Sequence, residues 1–125
     1  MKGTDLEKRV FVLVVEDDPL IRLLVSEIIS EAGFGTLEAG SADEAIQILE
    51  SRDDIRIIFT DINMPGSMDG LKLAHAVRDR WPPIKIIVTS GTMQISERHL
   101  PVGSRFLRKP YNPEHIVGVL RDLSA

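Results

Sequence analysis

The sequence predicts an α/β domain, a (βα)5 three-layer sandwich with a parallel five-stranded sheet and helices on both faces. Three observations predict it. Strand and helix patterns alternate five times after a polar start, as βαβ units require. Strand candidates such as Val10–Val15 and Ile84–Val88 are continuous apolar runs, as expected for strands covered on both faces. Four such runs end in reactive side chains: Glu16-Asp17-Asp18, Asp61, Thr89, and Lys109-Pro110. In a parallel sheet these ends share one edge, where ligands bind.

Each element has its own signals. Residues 1–9 form a polar tail. Strand one, Val10–Val15, leads to Asp18 as N-cap and Pro19 at the first helical position. That helix runs to Ala32 and stops at Gly33. Its core face is expected to be Ile21, Leu24, Val25 and Ile28, with Leu20 and Leu23 left over as a docking patch for a partner. Strand two is Phe34–Glu38. Ser41-Ala42-Asp43-Glu44 reads as a capping box, opening a helix through Glu50 with Ala45, Ile46 and Leu49 inward. Strand three is Arg56–Thr60, followed by the loop Asp61–Gly66. The third helix, Gly70–Arg80, ends before Pro82-Pro83. Strand four is Ile84–Thr89 and strand five Arg105–Arg108. Asn112-Pro113-Glu114 starts the last helix, which fades at Leu123. The fourth helix must lie within Thr92–Gly103, where Pro101 interrupts the pattern, so a short or irregular helix is expected there.

Bulk properties narrow the function. The chain has 125 residues, 43% hydrophobic and 27% charged, which fits one globular domain. No apolar run approaches the ~18 residues that span a bilayer, and the amino terminus lacks the apolar stretch of a secretory signal. With no cysteine, thiolate metal sites and catalytic thiols are excluded. A cytoplasmic location is expected. The net charge of −4 speaks against direct nucleic-acid binding, which relies on a basic footprint. His75, His99 and His115 show no ligand spacing and read as surface residues.

Strand order decides whether the strand ends make one site. In the dinucleotide-binding order, strand two separates strands one and three, and Asp61 would lie ~10 Å from Asp17. That order also expects a Gly-rich turn after strand one, where this chain has Glu16-Asp17-Asp18-Pro19. In the flavodoxin-like order 2-1-3-4-5, strand three is central. Asp61 then has Glu16 and Asp17 on one side, and Thr89 and Lys109 on the other. Crowded carboxylates repel unless a cation joins them. Oxygen ligands without His or Cys suit Mg²⁺, with Mn²⁺ an alternative. Asp17 and Asp61 are the expected direct ligands, Glu16 reaches the ion directly or through water, and a backbone carbonyl near Asn63 completes the set. A carboxylate can act as nucleophile in phosphoryl transfer, and Asp61 is the central candidate. Mg²⁺ and Lys109 would neutralise phosphoryl oxygens, and the Thr89 hydroxyl can donate to the attached group.

The motifs Val12–Pro19, Thr60-Asp61-Ile62-Asn63-Met64-Pro65, Met68-Asp69-Gly70, Val88-Thr89-Ser90-Gly91 and Phe106-Leu107-Arg108-Lys109-Pro110 resemble the receiver domains of two-component response regulators. The resemblance covers Val10 to about Leu123; a receiver domain over residues 10–124 with no output domain, a stand-alone receiver, is expected. It implies Glu16 and Asp17 as the acidic pair, Asp61 as phosphoacceptor, Thr89 as switch hydroxyl and Lys109 as the invariant lysine. A histidine kinase or histidine phosphotransfer protein would be the donor, and an unknown downstream protein the target. A homodimer through the face of the fourth and fifth helices is an assembly the family allows. The resemblance further implies that Thr89 moves toward the phosphoryl group while Phe106 rotates inward, and that Lys109-Pro110 is cis.

The chain also departs from the family pattern. Glu16 stands where Asp is commoner, Gly66-Ser67 lengthens a loop, and the span from Thr89 to Lys109 is short. Asn63 and Gly91 flank the path of an attacking water and offer no general base, so unassisted dephosphorylation is expected. The rival reading is a small Mg-dependent phosphohydrolase with an aspartyl-phosphate intermediate. The lack of an acid–base residue at Asn63 and the short chain count against it, and turnover enzymology is not expected. A third reading, an inert receiver-like interaction module, is opposed by the full set of site residues.

Overall fold

The structure, a computed structural model, describes residues 10–64, 68–91 and 99–125. Five parallel strands, β1 (Phe11–Val15), β2 (Gly35–Ala39), β3 (Ile55–Asp61), β4 (Lys85–Ser90) and β5 (Arg105–Arg108), form one sheet. Its order is β2-β1-β3-β4-β5, the flavodoxin-like order, as the sequence predicts. Four helices accompany them among the described residues: α1 (Pro19–Glu31), α2 (Ala42–Ser51), α3 (Gly70–Arg80) and α4 (Pro113–Ser124). The helix expected within Thr92–Gly103 falls largely on residues 92–98, outside the described residues, and so does the dimer face that would include it.

Local chemistry explains the helix ends. Asp18 accepts from the amides of Leu20 and Ile21, and Ser41 accepts from that of Glu44. The reciprocal contact of the box shifts by one residue, since Glu44 accepts from the Gly40 amide at 2.7 Å. Asp69 caps α3 through the Lys72 amide, and Asn112 caps α4 through Glu114 and His115. Gly33 ends α1 at φ 101°, a left-handed conformation that a side chain resists.

Two apolar clusters sandwich the sheet. On one face Leu13, Ile58, Ile86 and Val88 meet Ala45 and Leu49 of α2 and Leu73 and Val77 of α3. On the other, Val14, Phe59, Ile87 and Leu107 meet Val25 and Ile29 of α1 and Ile116 and Leu120 of α4. Each fully buried side chain of this kind contributes ~1.5–3 kcal/mol, so the layers fix the strand ends firmly.

The α1 expectation needs a correction. Leu24 is 52% exposed and does not face the core. The buried stripe is Val25, Ser26 and Ile29, flanked by half-buried Ile21 and Ile28. The helix is rotated so that small Ser26, not Leu24, meets the packed side. Leu24 therefore joins Leu20 and Leu23 in an exposed leucine trio at positions i, i+3 and i+4. Ile46 is half-buried against its cluster.

Candidate functional site

The ladder registers bring the strand-end residues into one row. Val15 lies opposite Thr60, so Glu16 is level with Asp61. Asp61 lies opposite Thr89, and Ser90 opposite Arg108, which leads to Lys109. Backbone bonds continue this alignment past the strands: the Ile62 amide donates to the Thr89 carbonyl at 2.9 Å, and the Lys109 amide to the Ser90 carbonyl at 3.0 Å. The Lys109-Pro110 peptide is cis.

The side chains converge as the strand order requires. One oxygen each from Glu16, Asp17 and Asp61 lies within 4.8 Å of the others. Lys109 Nζ is 3.1 Å from Asp61 Oδ2 and 3.6 Å from Glu16 Oε1. The Asn63 amide donates to Asp61 Oδ1 at 3.3 Å, and the Asp18 amide to Glu16 Oε2 at 3.1 Å. Asp61 is 3% exposed and Glu16 4%, while Asp17 faces solvent. Two buried carboxylates against a single ammonium leave net negative charge where water is scarce.

Electrostatics register that imbalance. Burial pushes the Glu16 carboxyl above its ordinary range, and the Asp61 charge adds to the effect. Burial alone would pull the Lys109 ammonium down. The hydrogen bond to Asp61 and the negative neighbours outweigh it and hold the ammonium above its ordinary value. Glu16 Oε1 is buried without a hydrogen-bond partner, an orphan that a cation would satisfy. The donors are all carboxylate oxygens, with no His or Cys, and so suit a hard divalent ion.

Several residues at this edge escaped sequence reasoning. Thr89 is fully buried, and its hydroxyl lies 3.1 Å from that of Tyr111. The only available signal was an aromatic residue just after Lys109-Pro110. Arg22 of α1 donates to the Glu16 carbonyl at 2.8 Å and pairs with Glu38 at 3.2 Å, bracing the acidic turn. A Cβ at Gly70 would clash with the Asp61 carbonyl oxygen, so only glycine lets α3 start there. Phe106, opposite Val88, is half-buried against the cluster under α2 and α3, less enclosed than a core residue. Leu20 and Leu23 lie on the open side of α1, at 78% and 49% exposure.

The fold and this acidic pocket define a receiver-type domain. The family model described as the response regulator receiver domain matches residues 12–121, and the chain belongs to that family. It is 32% identical over 98% of its length to the sensor kinase CckA of Brucella abortus, covering 13% of that protein. Among solved structures, the receiver domain of NtrX from Brucella abortus is 30% identical with a TM-score of 0.80, covering 90% of this chain and 96% of that one. The response regulator TrrA of Thermotoga maritima, in complex with Mg²⁺ and BeF, is 26% identical with a TM-score of 0.80, covering 91% and 98%. The chain thus spans a small part of its curated relatives, 24% of an NtrX-like regulator of Rickettsia bellii being a second case. Among the described residues, no helix is long and apolar enough to cross a membrane.

Proposed function

We propose that the chain is a phosphoacceptor signalling domain in which Asp61 accepts a phosphoryl group from a phosphohistidine donor, a histidine kinase or histidine phosphotransfer protein. The observation that carries this reading is the buried Asp61 carboxylate, held by Lys109 on Oδ2 and crowded by Glu16 and Asp17. Glu16, Asp17, Asp61 and the Asn63 backbone carbonyl would hold Mg²⁺, and the ion would supply charge neutralisation for the incoming group. Lys109 already points its ammonium at an Asp61 oxygen, so it can follow onto a phosphoryl oxygen attached there. The Asp61 oxygen attacks phosphorus, the donor imidazole leaves, and an acyl phosphate results. Thr89 then donates to the phosphoryl group, and Phe106 repacks, changing a surface that a downstream protein reads.

The test is to incubate the chain with Mg²⁺ and acetyl phosphate and follow its mass. Stoichiometric, Mg²⁺-dependent addition that disappears in Asp61→Asn is the expected outcome. Multiple turnover without a stable adduct would replace this reading with a phosphohydrolase, and no reaction would leave an inert interaction module.

A further inference from the structure

Tyr111 is the single tyrosine of the chain, and neither the metal ligands nor the phosphoryl contacts use it. Its hydroxyl is 3.1 Å from the Thr89 hydroxyl in a part-buried pair. Thr89 thus directs its side chain to the phenol, while Asp61 is engaged by Lys109 and the Asn63 amide. The phenol ring is itself held on two sides. It tilts against Phe59 with centroids 5.8 Å apart, and the Lys109 ammonium stands 5.6 Å from its centre. Burial pushes the Tyr111 hydroxyl above its ordinary range, so it remains a neutral hydrogen-bonding group. Tyr111 packs with the cluster under α1 and α4, and Phe106 with the opposite one. The two aromatics therefore address the end of β4 from different faces.

We propose that Tyr111 is a positioning residue for the switch: its hydroxyl latches Thr89 in the unmodified domain, and Thr89 releases it to reach a phosphoryl oxygen on Asp61. The inference rests on the role proposed above for Thr89. Asp61 and Thr89 are register partners, so the Thr89 hydroxyl needs only a short shift toward Asp61. The Tyr111 ring, packed on Phe59, does not follow. The shift therefore exchanges the phenol contact for the phosphoryl contact. The phenol is an element of the off state, and its removal favours the on state. The expected effect is about five-fold in the equilibrium, the worth of one neutral hydrogen bond net of solvent.

The experiment titrates the full chain with beryllofluoride and Mg²⁺, comparing wild type with Tyr111→Phe, each also in a Thr89→Val background. Tyr111→Phe is expected to bind the mimic about five-fold tighter, and Thr89→Val to abolish that gain. A merely structural role for the hydroxyl would weaken binding or leave it alone. In wild type labelled with fluorotyrosine, the single fluorotyrosine resonance, distinct from the beryllofluoride signals, is expected to shift on saturation and to stay fixed in Asp61→Asn. This second readout stands even if Tyr111→Phe folds poorly. Equal or weaker binding by Tyr111→Phe, or an unmoved fluorine signal while the mimic binds, overturns the latch alone. Failure of wild type to bind the mimic overturns the phosphoacceptor reading and the latch with it.

Discussion

At the amino edge of the sheet, Arg52 pairs with Asp54 at 2.6 Å and Arg80 with Glu50 at 2.7 Å, all four side chains at least a third exposed. The Arg80 guanidinium also lies 4.4 Å from the Trp81 ring centre, and that of Arg52 5.2 Å from Phe11. Each of these four charges has a partner and water besides. At the carboxyl edge Glu16 and Asp61 are buried, share one lysine, and leave Glu16 Oε1 without a hydrogen bond. Both edges are rich in charge. The difference is that one arrangement is complete by itself, and the other keeps a buried carboxylate oxygen without a hydrogen bond, which the proposed divalent ion would satisfy. Exposed pairs contribute little to stability, whereas buried groups short of partners cost free energy that a ligand recovers.

The largest effect is expected where the carboxyl edge is tightest. A methyl at Gly70 would clash with the Asp61 carbonyl oxygen and lie 2.8 Å from Ile62 Cα, and backbone atoms cannot swing aside. Gly70→Ala is expected to lower unfolding free energy by about 3 kcal/mol, measured by urea denaturation, and to displace the loop that carries Asn63. Gly118 of α4 provides the contrast, since nothing lies within 4 Å of an added Cβ there. Gly118→Ala should stabilise by roughly 0.5–1 kcal/mol through helix propensity alone. Equal losses at both positions would mean that the start of α3 is not specially confined.

Glu16 sharpens the electrostatic half of the comparison. Its carboxyl is raised in the folded state, so folding binds its proton more tightly than the unfolded chain does. Its contribution to stability is therefore full below the ordinary glutamate value of 4.5 and is lost as pH rises through the folded value. Without metal, Glu16→Gln is expected to remove that loss and to gain on the order of 1 kcal/mol at neutral pH. Mg²⁺ should reverse the ranking by stabilising wild type more than the variant. Denaturation midpoints at acid and neutral pH, with and without Mg²⁺, check both signs. A variant less stable than wild type in metal-free neutral buffer would show that the Lys109 attraction outweighs burial.

The parts of this edge that were legible in the sequence are those fixed by strand ends. Glu16, Asp17, Asp61, Thr89 and Lys109 each stand at or just past the carboxyl end of a strand, and parallel topology carries strand ends to one row whatever the side-chain packing. What was not legible depends on rotation or through-space contact. The stripe of α1 turns toward Ser26 and frees Leu24, because small Ser26 fits against the layer where the larger leucine was expected. Periodicity cannot distinguish two adjacent faces of a leucine-rich helix. The Tyr111–Thr89 pair joins residues 22 positions apart through side-chain reach, which no local pattern encodes. Gly70 looks like an ordinary helix-start residue until the Asp61 carbonyl is seen beneath it.

The amino edge should yield the smallest change, and that small size is itself informative. Glu50→Ala removes the Arg80 partner, with both side chains about half exposed. The released guanidinium keeps its place over Trp81 and gains water. Stability is expected to change by no more than about 0.5 kcal/mol, fading further as salt is raised, and Mg²⁺ affinity should be unaltered. A loss well above that, or any coupling to Mg²⁺, would mean that the two edges communicate through the sheet. The contrast between a self-sufficient edge and one proposed to take a ligand would then have to be redrawn.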